Sequence, residues 1–236
     1  MEVIISSQPE AAVIALNEIQ KIDPKARGKR LRPGVQLVEL SEEAFEAIKK
    51  SRPIFIQHMG LKEDSIPKFK KDEMHISRAE FKLQEAFLTF AIDLTGFKTA
   101  LDLGAAPGGW TKVMLEKGLQ VTAVDPAVLS DKLNGHPNLI QAKETAQEFL
   151  RKQKDPYDIL LNDMRMDIME SSKIMLDMAS LLKPGGLALM TLKLPHSHWY
   201  KNTKRALALL ERAYTIKEAR QLFHNRSEVT VLLGTP

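Results

Sequence analysis

The sequence predicts a doubly wound α/β sheet preceded by a small α+β unit, and three observations carry that reading. From residue 99 onward, apolar strand-like runs alternate with helical stretches. One of those strands ends in a glycine-rich turn that opens a helix, Gly104-Ala-Ala-Pro-Gly-Gly109. The next strand ends at Asp125, 21 residues after Gly104. Parallel strands covered by helices on both faces read as near-continuous apolar runs, as these do.

Taken in order, Val3, Ile4 and Ile5 form a short strand, and Ser7-Gln-Pro-Glu10 fits the S-x-x-E capping box with Pro9 tolerated in the first turn. A helix over 9–22 should then bury Ala12, Val13, Ala15, Leu16 and Ile19. The most basic stretch follows, with Lys21, Lys25, Arg27, Lys29, Arg30 and Arg32 opposed by Asp23 alone. Residues 35–40 read as a strand, Ser41 as the N-cap of a helix to residue 50, and 53–57 as another strand. Residues 1–59 thus form a small α+β unit, 60–76 a charged linker, and 77–236 the larger domain. In that domain Ser77 should cap a helix carrying Phe81, Leu83, Ala86, Phe87, Phe90 and Ala91. Strands are expected at 99–104, 120–125, 138–142, 158–163, 186–193, 214–219 and 228–234, with helices at 110–117, 144–153, 167–182 and 197–212. The last two strands have no helix between them, which implies seven strands, mostly parallel, with an antiparallel hairpin at one edge.

Composition narrows the chemistry. The chain has 236 residues and no cysteine, which excludes a disulfide-stapled module, a Cys-ligated metal site, a cysteine nucleophile and thiol redox chemistry. No stretch approaches the roughly 18–20 apolar residues a membrane span requires, and Met1 to Glu10 lacks a signal-like pattern, so a soluble, cytoplasmic protein without a membrane partner is expected. A formal charge of +4 is weak evidence for an anionic partner. The cluster between Lys21 and Arg32 says more: it is a solvated loop or a phosphate-contacting arm, with Lys25, Arg27, Lys29 and Arg30 as the phosphate contacts of a nucleic-acid partner and Lys68, Lys70, Lys71 and Arg78 extending the footprint.

The glycine turn is the sharpest motif. A strand that ends in such a turn and opens a helix lets the backbone approach a nucleotide-like ligand, and an acid ending the second strand suits ribose hydroxyls. Dinucleotide sites use G-x-G-x-x-G to seat a pyrophosphate, whereas here the spacing is G-x-x-x-G-G with Pro107 inside the turn. That favours S-adenosylmethionine over a nicotinamide cofactor. A turn that merely closes a strand-to-helix crossing is the plainer alternative.

Asp102-Leu-Gly-Ala-Ala-Pro-Gly-Gly-Trp110 resembles the first motif of the FtsJ/RrmJ-like RNA ribose 2′-O-methyltransferases. Four more segments are similar to that family in the right order: Ser77 to Phe87 around Lys82, Asn162-Asp163-Met164, Thr191-Leu-Lys193-Leu-Pro195, and Arg226-Ser-Glu228-Val-Thr230. Leu192-Lys-Leu-Pro195 and the run from Ala219 to Thr230 look most like the RlmM type, which acts on a cytidine of large-subunit ribosomal RNA. RlmM-type enzymes carry a longer N-terminal region around a THUMP-like module, and this chain reads as a shortened version. The resemblance implies a Rossmann-like methyltransferase domain and a K-D-K-E catalytic tetrad of Lys82, Asp163, Lys193 and Glu228. It also implies S-adenosylmethionine bound by Ser77, Gly104, Ala106, Pro107, Gly108, Gly109, Trp110, Asp125, Glu144 and Asp163, with Glu144 standing in for an aspartate near the adenine. The implied partner is RNA, either ribosomal RNA or an assembling ribosomal subunit, met by a monomer with no metal.

In that chemistry a ribose oxygen displaces a sulfonium methyl group in line, so orientation carries much of the rate. Lys193 is expected as base or orienting group, Asp163 as its partner, and Lys82 and Glu228 as electrostatic and positioning groups. Lys82 would depress the Lys193 pKa while the two acids would raise it, and residue order leaves the balance open. Trp110 packs beside the cofactor turn or in the core. His196 and His198 form an H-x-H pair read as a surface feature near RNA, and Met164, Met166, Met169, Met175 and Met178 as core filling. Three alternatives compete: a methyltransferase of a protein or small molecule, a nicotinamide-dependent oxidoreductase, and a catalytically silent RNA-binding module of the same fold.

Overall fold

The computed structural model describes residues 1–60 and 76–236. The linker expected at 60–76, with Lys68, Lys70 and Lys71, therefore lies almost wholly outside the described residues. The first sheet has four antiparallel strands in the order β2-β3-β1-β4, built from β1 (Glu2–Ser6), β2 (Arg27–Arg32), β3 (Val35–Glu39) and β4 (His58–Gly60). Helices α1 (Ala12–Gln20) and α2 (Glu42–Ser51) share its core through Ala15, Ile19 and Ile48 against Val3, Ile5 and Val38. Ser41 caps α2 as expected, accepting from Ala44 N at 3.1 Å, with Glu42 and Glu43 in the first turn and Lys49 and Lys50 in the last to complement the helix dipole.

Four expectations need correction. The Ser7–Glu10 capping box does not form: Ser7 Oγ donates to Gln8 O, and a 3₁₀ turn over Pro9–Ala11 leads into α1. Val13 is exposed, because Ala11 takes the inward position and shifts the buried stripe to Ala11, Ala15 and Ile19. Residues 53–57 are a turn, since the Glu18 carboxylate accepts from Ile54 N and Phe55 N at 3.1 and 2.9 Å; the strand begins at His58. The basic stretch is neither loop nor arm at Arg27–Arg32 but the exposed edge strand β2.

The second sheet has the order β10-β11-β9-β8-β5-β6-β7. Helix α3 (Ala79–Thr89) leads to β5 (Thr99–Leu103), α4 (Gly109–Glu116), β6 (Gln120–Val124), β7 (Leu139–Ala142), α5 (Ala146–Lys152) and β8 (Tyr157–Asn162). Then follow α6 (Ile168–Asp177), β9 (Leu182–Lys193), α7 (Trp199–Leu210), β10 (Thr215–Arg220) and β11 (Glu228–Gly234). Helix α3 begins at Ala79, and Ser77 Oγ accepts from Ala79 N at 3.2 Å. Strands β5 to β9 are parallel, and β11 runs antiparallel between β9 and β10, so the predicted hairpin is present. The chain turns outward from β5 through β6 to β7 and returns to β8 on the other side of β5, which creates the topological switch where open α/β sheets bind ligands. Met175 and Met178 are buried in the core, with Met164, Met166 and Met169 packed partly buried against it.

The two sheets share one apolar cluster. Phe55, fully buried, stacks on Trp199 of α7 at 6.3 Å between ring centroids. Gln57 Nε2 donates to Leu222 O at 2.8 Å, Gln221 N to Ile54 O at 2.6 Å, and Arg52 pairs with Glu218. Truncation of a fully buried ring costs about 3–5 kcal/mol. Phe55→Ala should lose stability on that scale in urea denaturation of the whole chain; a change of less than about 1 kcal/mol would mean the junction relaxes without cost.

Candidate active site

Register sets the site. Leu103 of β5 lies opposite Val124 of β6 and Asn162 of β8, so Gly104, Asp125 and Asp163 leave the sheet at one level on its carboxyl edge. Glycine is required in the turn by close approach: a Cβ on Gly104, where φ is 70°, would stand 2.2 Å from Met164 Cγ, and one on Gly109 would stand 2.4 Å from Ser77 Oγ. Beside the turn lies a cleft of about 310 Å³, and Ser77, Gly104, Ala106, Pro107, Gly109, Trp110 and Asp163 of the expected cofactor residues line it.

Three expected residues fall outside that lining. Gly108 packs toward Leu133. Asp125 accepts from Ala106 N and Ala127 N at 3.0 and 2.7 Å, which braces the turn. Glu144 pairs with Lys152 at 2.5 Å. Trp110 meets both of its alternatives: it is buried in the core, borders the cleft, and donates from Nε1 to Ala79 O at 2.8 Å, tying α4 to the start of α3. Buried Glu80 ties the same pair of helices by accepting from Ser77 N at 3.1 Å and Lys112 Nζ at 3.0 Å.

Lys82, Asp163, Lys193 and Glu228 converge from four elements into a closed ring. Lys193 Nζ lies 2.5 Å from Asp163 Oδ1 and 2.9 Å from Glu228 Oε1; Lys82 Nζ lies 2.7 Å from Glu228 Oε2 and 3.3 Å from Asp163 Oδ1. All four side chains are only 15–17% exposed. Burial opposes charge on Lys82, but Asp163 and Glu228 outweigh it and raise its pKa. Burial likewise opposes charge on Asp163, and Lys193 and Lys82 outweigh it and lower its pKa. Lys193 and Glu228 are direct cross-strand partners of β9 and β11. Asn162 Oδ1 accepts from Met164 N at 3.0 Å and closes the turn around Asp163.

Two residues here were not singled out from sequence. Fully buried Thr191 shares the Lys193 face of β9, two positions earlier; its hydroxyl donates to Asp163 Oδ1 at 2.5 Å and accepts from Lys193 Nζ at 2.7 Å. The period-two spacing from Lys193 was the available signal. Asp102 lines the cleft and is buried, and its signal was an acid inside an apolar strand run. Burial pushes its carboxyl up to about 7, the Thr111 hydroxyl at 2.6 Å opposes this, and Asp163 adds to it.

Of the residues expected at RNA, Arg78 is exposed and borders the cleft. Lys29 and Arg30 are exposed on β2, Lys25 in the turn before it, and Arg27 donates to Pro24 O, Lys25 O and Ala26 O. Lys21 turns instead to Tyr200, donating to its hydroxyl at 3.0 Å. His196 and His198 are exposed in the loop before α7. Among the described residues no three His, Asp or Glu side chains form a metal-ligating group, and no helix is long and apolar enough to cross a membrane.

The raised Asp102 pKa has a definite sign. Its folded form holds a proton that the unfolded form releases near pH 4, so its share of stability is present below that pH and falls by up to about 1.4 kcal/mol per pH unit until pH 7. Asp102→Asn should therefore flatten the loss of urea-denaturation stability between pH 5 and pH 7; a variant with the wild-type pH slope would contradict the protonated carboxyl.

Residues 75–205 match the family model described as FtsJ-like methyltransferase. "Ribosomal RNA large subunit methyltransferase M" of Laribacter hongkongensis is 35% identical over 175 residues, covering 68% of this chain and 48% of that protein. The protein of the same name from Xylella fastidiosa (strain 9a5c) is 34% identical over 177 residues, covering 70% and 49%. The chain thus spans about half the length of the curated relatives it matches. In fold it is similar to the solved fibrillarin/Nop5p complex, with a TM-score of 0.55 at 15% identity over 68% of this chain and 84% of that one. Its larger sheet is a Rossmann-like methyltransferase fold, and on the match across more than half its length the chain belongs to the FtsJ-like methyltransferase family.

Proposed function

We propose that this protein transfers a methyl group from S-adenosylmethionine to a ribose 2′-hydroxyl of large-subunit ribosomal RNA. The observation that carries the reading is the closed ring of Lys82, Asp163, Lys193 and Glu228, which shares Lys82 and Asp163 with the glycine-turn cleft. The names of the relatives support the ribosomal substrate.

The cleft suits the cofactor. Its volume lies at the lower end of the roughly 300–1,000 Å³ usual for small-molecule sites. A Cβ at Gly109 would collide with Ser77 on its wall, and Asp163 lines it beside buried Asp102. Ser77, the backbone from Gly104 to Trp110 and Asp163 would hold it, with Asp125 bracing the turn. Bound there, S-adenosylmethionine supplies a methyl group activated by a positively charged sulfur.

Lys193 is the group that meets the hydroxyl. Its Nζ reaches three oxygens, those of Asp163, Thr191 and Glu228, so it orients an incoming oxygen by donating in place of one of them, or takes the hydroxyl proton when neutral. Asp163 and Thr191 fix the amine's position. Lys82, kept charged, and Glu228 hold the ring's balance as the proton moves. We also assign residues 1–59 as an RNA-binding appendage, 60–76 as a linker and 77–236 as the catalytic domain, with Lys25, Lys29, Arg30 and Arg78 on phosphates and Arg27 holding the turn of the edge strand.

Lys193→Ala should leave cofactor binding by calorimetry intact while lowering transfer of labelled methyl groups to unmodified ribosomal RNA by roughly a hundred- to ten-thousand-fold. An active variant would sink the assignment. Neutralising Lys25, Lys29 and Arg30 together should flatten the slope of log affinity against log salt by about two, at roughly 0.7 per phosphate on single-stranded RNA. An unchanged slope would make the basic edge merely solvated.

A further inference from the structure

Against the ring lies a second cleft of about 250 Å³, a volume on the scale of one nucleoside. It shares Arg78 and Lys82 with the first cleft, so the ring stands between the two. Gln8, Phe223, His224, Asn225, Arg226 and Glu228 complete its boundary.

One wall is the loop between β10 and β11, and it is braced from three directions. Buried Glu85 of α3 accepts from Phe223 N and His224 N at 2.7 and 2.9 Å, and meets His224 Nδ1 at 2.7 Å. Fully buried Asn225 accepts from Leu222 N and Thr230 Oγ1 at 2.8 and 2.9 Å, and its amide donates toward Glu228 Oε2 at 3.4 Å. From the N-terminal sheet, Gln57 donates to Leu222 O, and Gln8 Nε2 donates to Asn225 O at 2.5 Å. On this fixed backbone Phe223 remains 38% exposed, its ring meeting His224 edge-on at 5.2 Å between centroids, with Arg78 and Arg226 exposed on the same cleft. A large apolar side chain left partly exposed on a braced loop, with cations beside it, is an arrangement that can stack an unpaired base and meet its phosphates.

We propose that this second cleft receives the base of the RNA nucleotide whose ribose is methylated. Phe223 is its stacking surface, Arg226 and Arg78 meet the flanking phosphates, and Gln8 is a polar contact supplied by the N-terminal unit. The proposal rests on the RNA methyl-transfer reading above and adds to it that the N-terminal unit contributes a residue to substrate selection. The ribose of a base held there is brought to Lys193 and Glu228, and the nucleotide must be unstacked to enter.

The test uses the whole chain, an unmodified ribosomal RNA and labelled S-adenosylmethionine, with kcat and KM for RNA measured separately and cofactor affinity measured by calorimetry. Phe223→Ala should raise the KM for RNA by about 5- to 100-fold, the effect of one lost base stack, with cofactor affinity unchanged. Phe223→Tyr, which keeps the ring, should restore it. Gln8→Ala should raise the same KM by about two- to tenfold, the effect of one hydrogen bond. An unchanged RNA KM in Phe223→Ala, beside an active unaltered chain, overturns the base cleft and leaves the methyl-transfer reading standing. So does a parallel loss of cofactor affinity, which would make the loop merely structural. An unaltered chain that transfers no methyl to RNA overturns both.

Discussion

Two ammonium groups and two carboxylates held together away from most water are the constraint on which the rest of this molecule depends. Each charge comes from a different element: the middle of α3, the turn after β8, the end of β9 and the start of β11. Removing one partner of a buried ion pair costs about 3–5 kcal/mol because the other is stranded; here the residual exposure of the side chains lowers that figure. The antiparallel strand acquires its meaning from this requirement. A parallel neighbour of β9 would begin at the far edge of the sheet, whereas β11 begins at the carboxyl edge and sets Glu228 directly across from Lys193.

Much of this was legible in the sequence because its local signals and tertiary consequences agree. Strands 99–104, 120–125 and 158–163 were located to within a residue or two, since buried parallel strands are apolar on both faces and leave little ambiguity. The four ring residues were placed by ordered motifs, and register then explains why they meet. What was not legible depended on partners distant in the chain. Glu18 accepts two backbone N–H groups around residue 54 and turns an apparent strand into a bend. Burial of Glu80 and Glu85 could not be read from helical acids that look like ordinary surface residues. The β2 edge was missed because its sequence is almost wholly polar, and it is held in the sheet by pairing with β3 alone. Charged side chains along such an edge also discourage pairing with another chain.

The N-terminal sheet is coupled to the carboxyl edge of the larger sheet more closely than its size suggests. It contributes Phe55 to a shared core and two glutamine amides to the loop that precedes Glu228. A displacement of that sheet would therefore be felt at Asn225 and, through it, at the ring.

The placement of aromatic rings has a spectroscopic consequence. The chain contains two tryptophans, and they occupy different positions in this architecture: Trp110 borders the glycine-turn cleft, and Trp199 stacks on Phe55 where the two sheets meet. Intrinsic emission therefore carries two separable signals, one sensitive to occupancy of the cleft and one to docking of the N-terminal sheet. With either indole replaced by phenylalanine, the remaining one becomes a native optical probe of a single event, free of any attached dye.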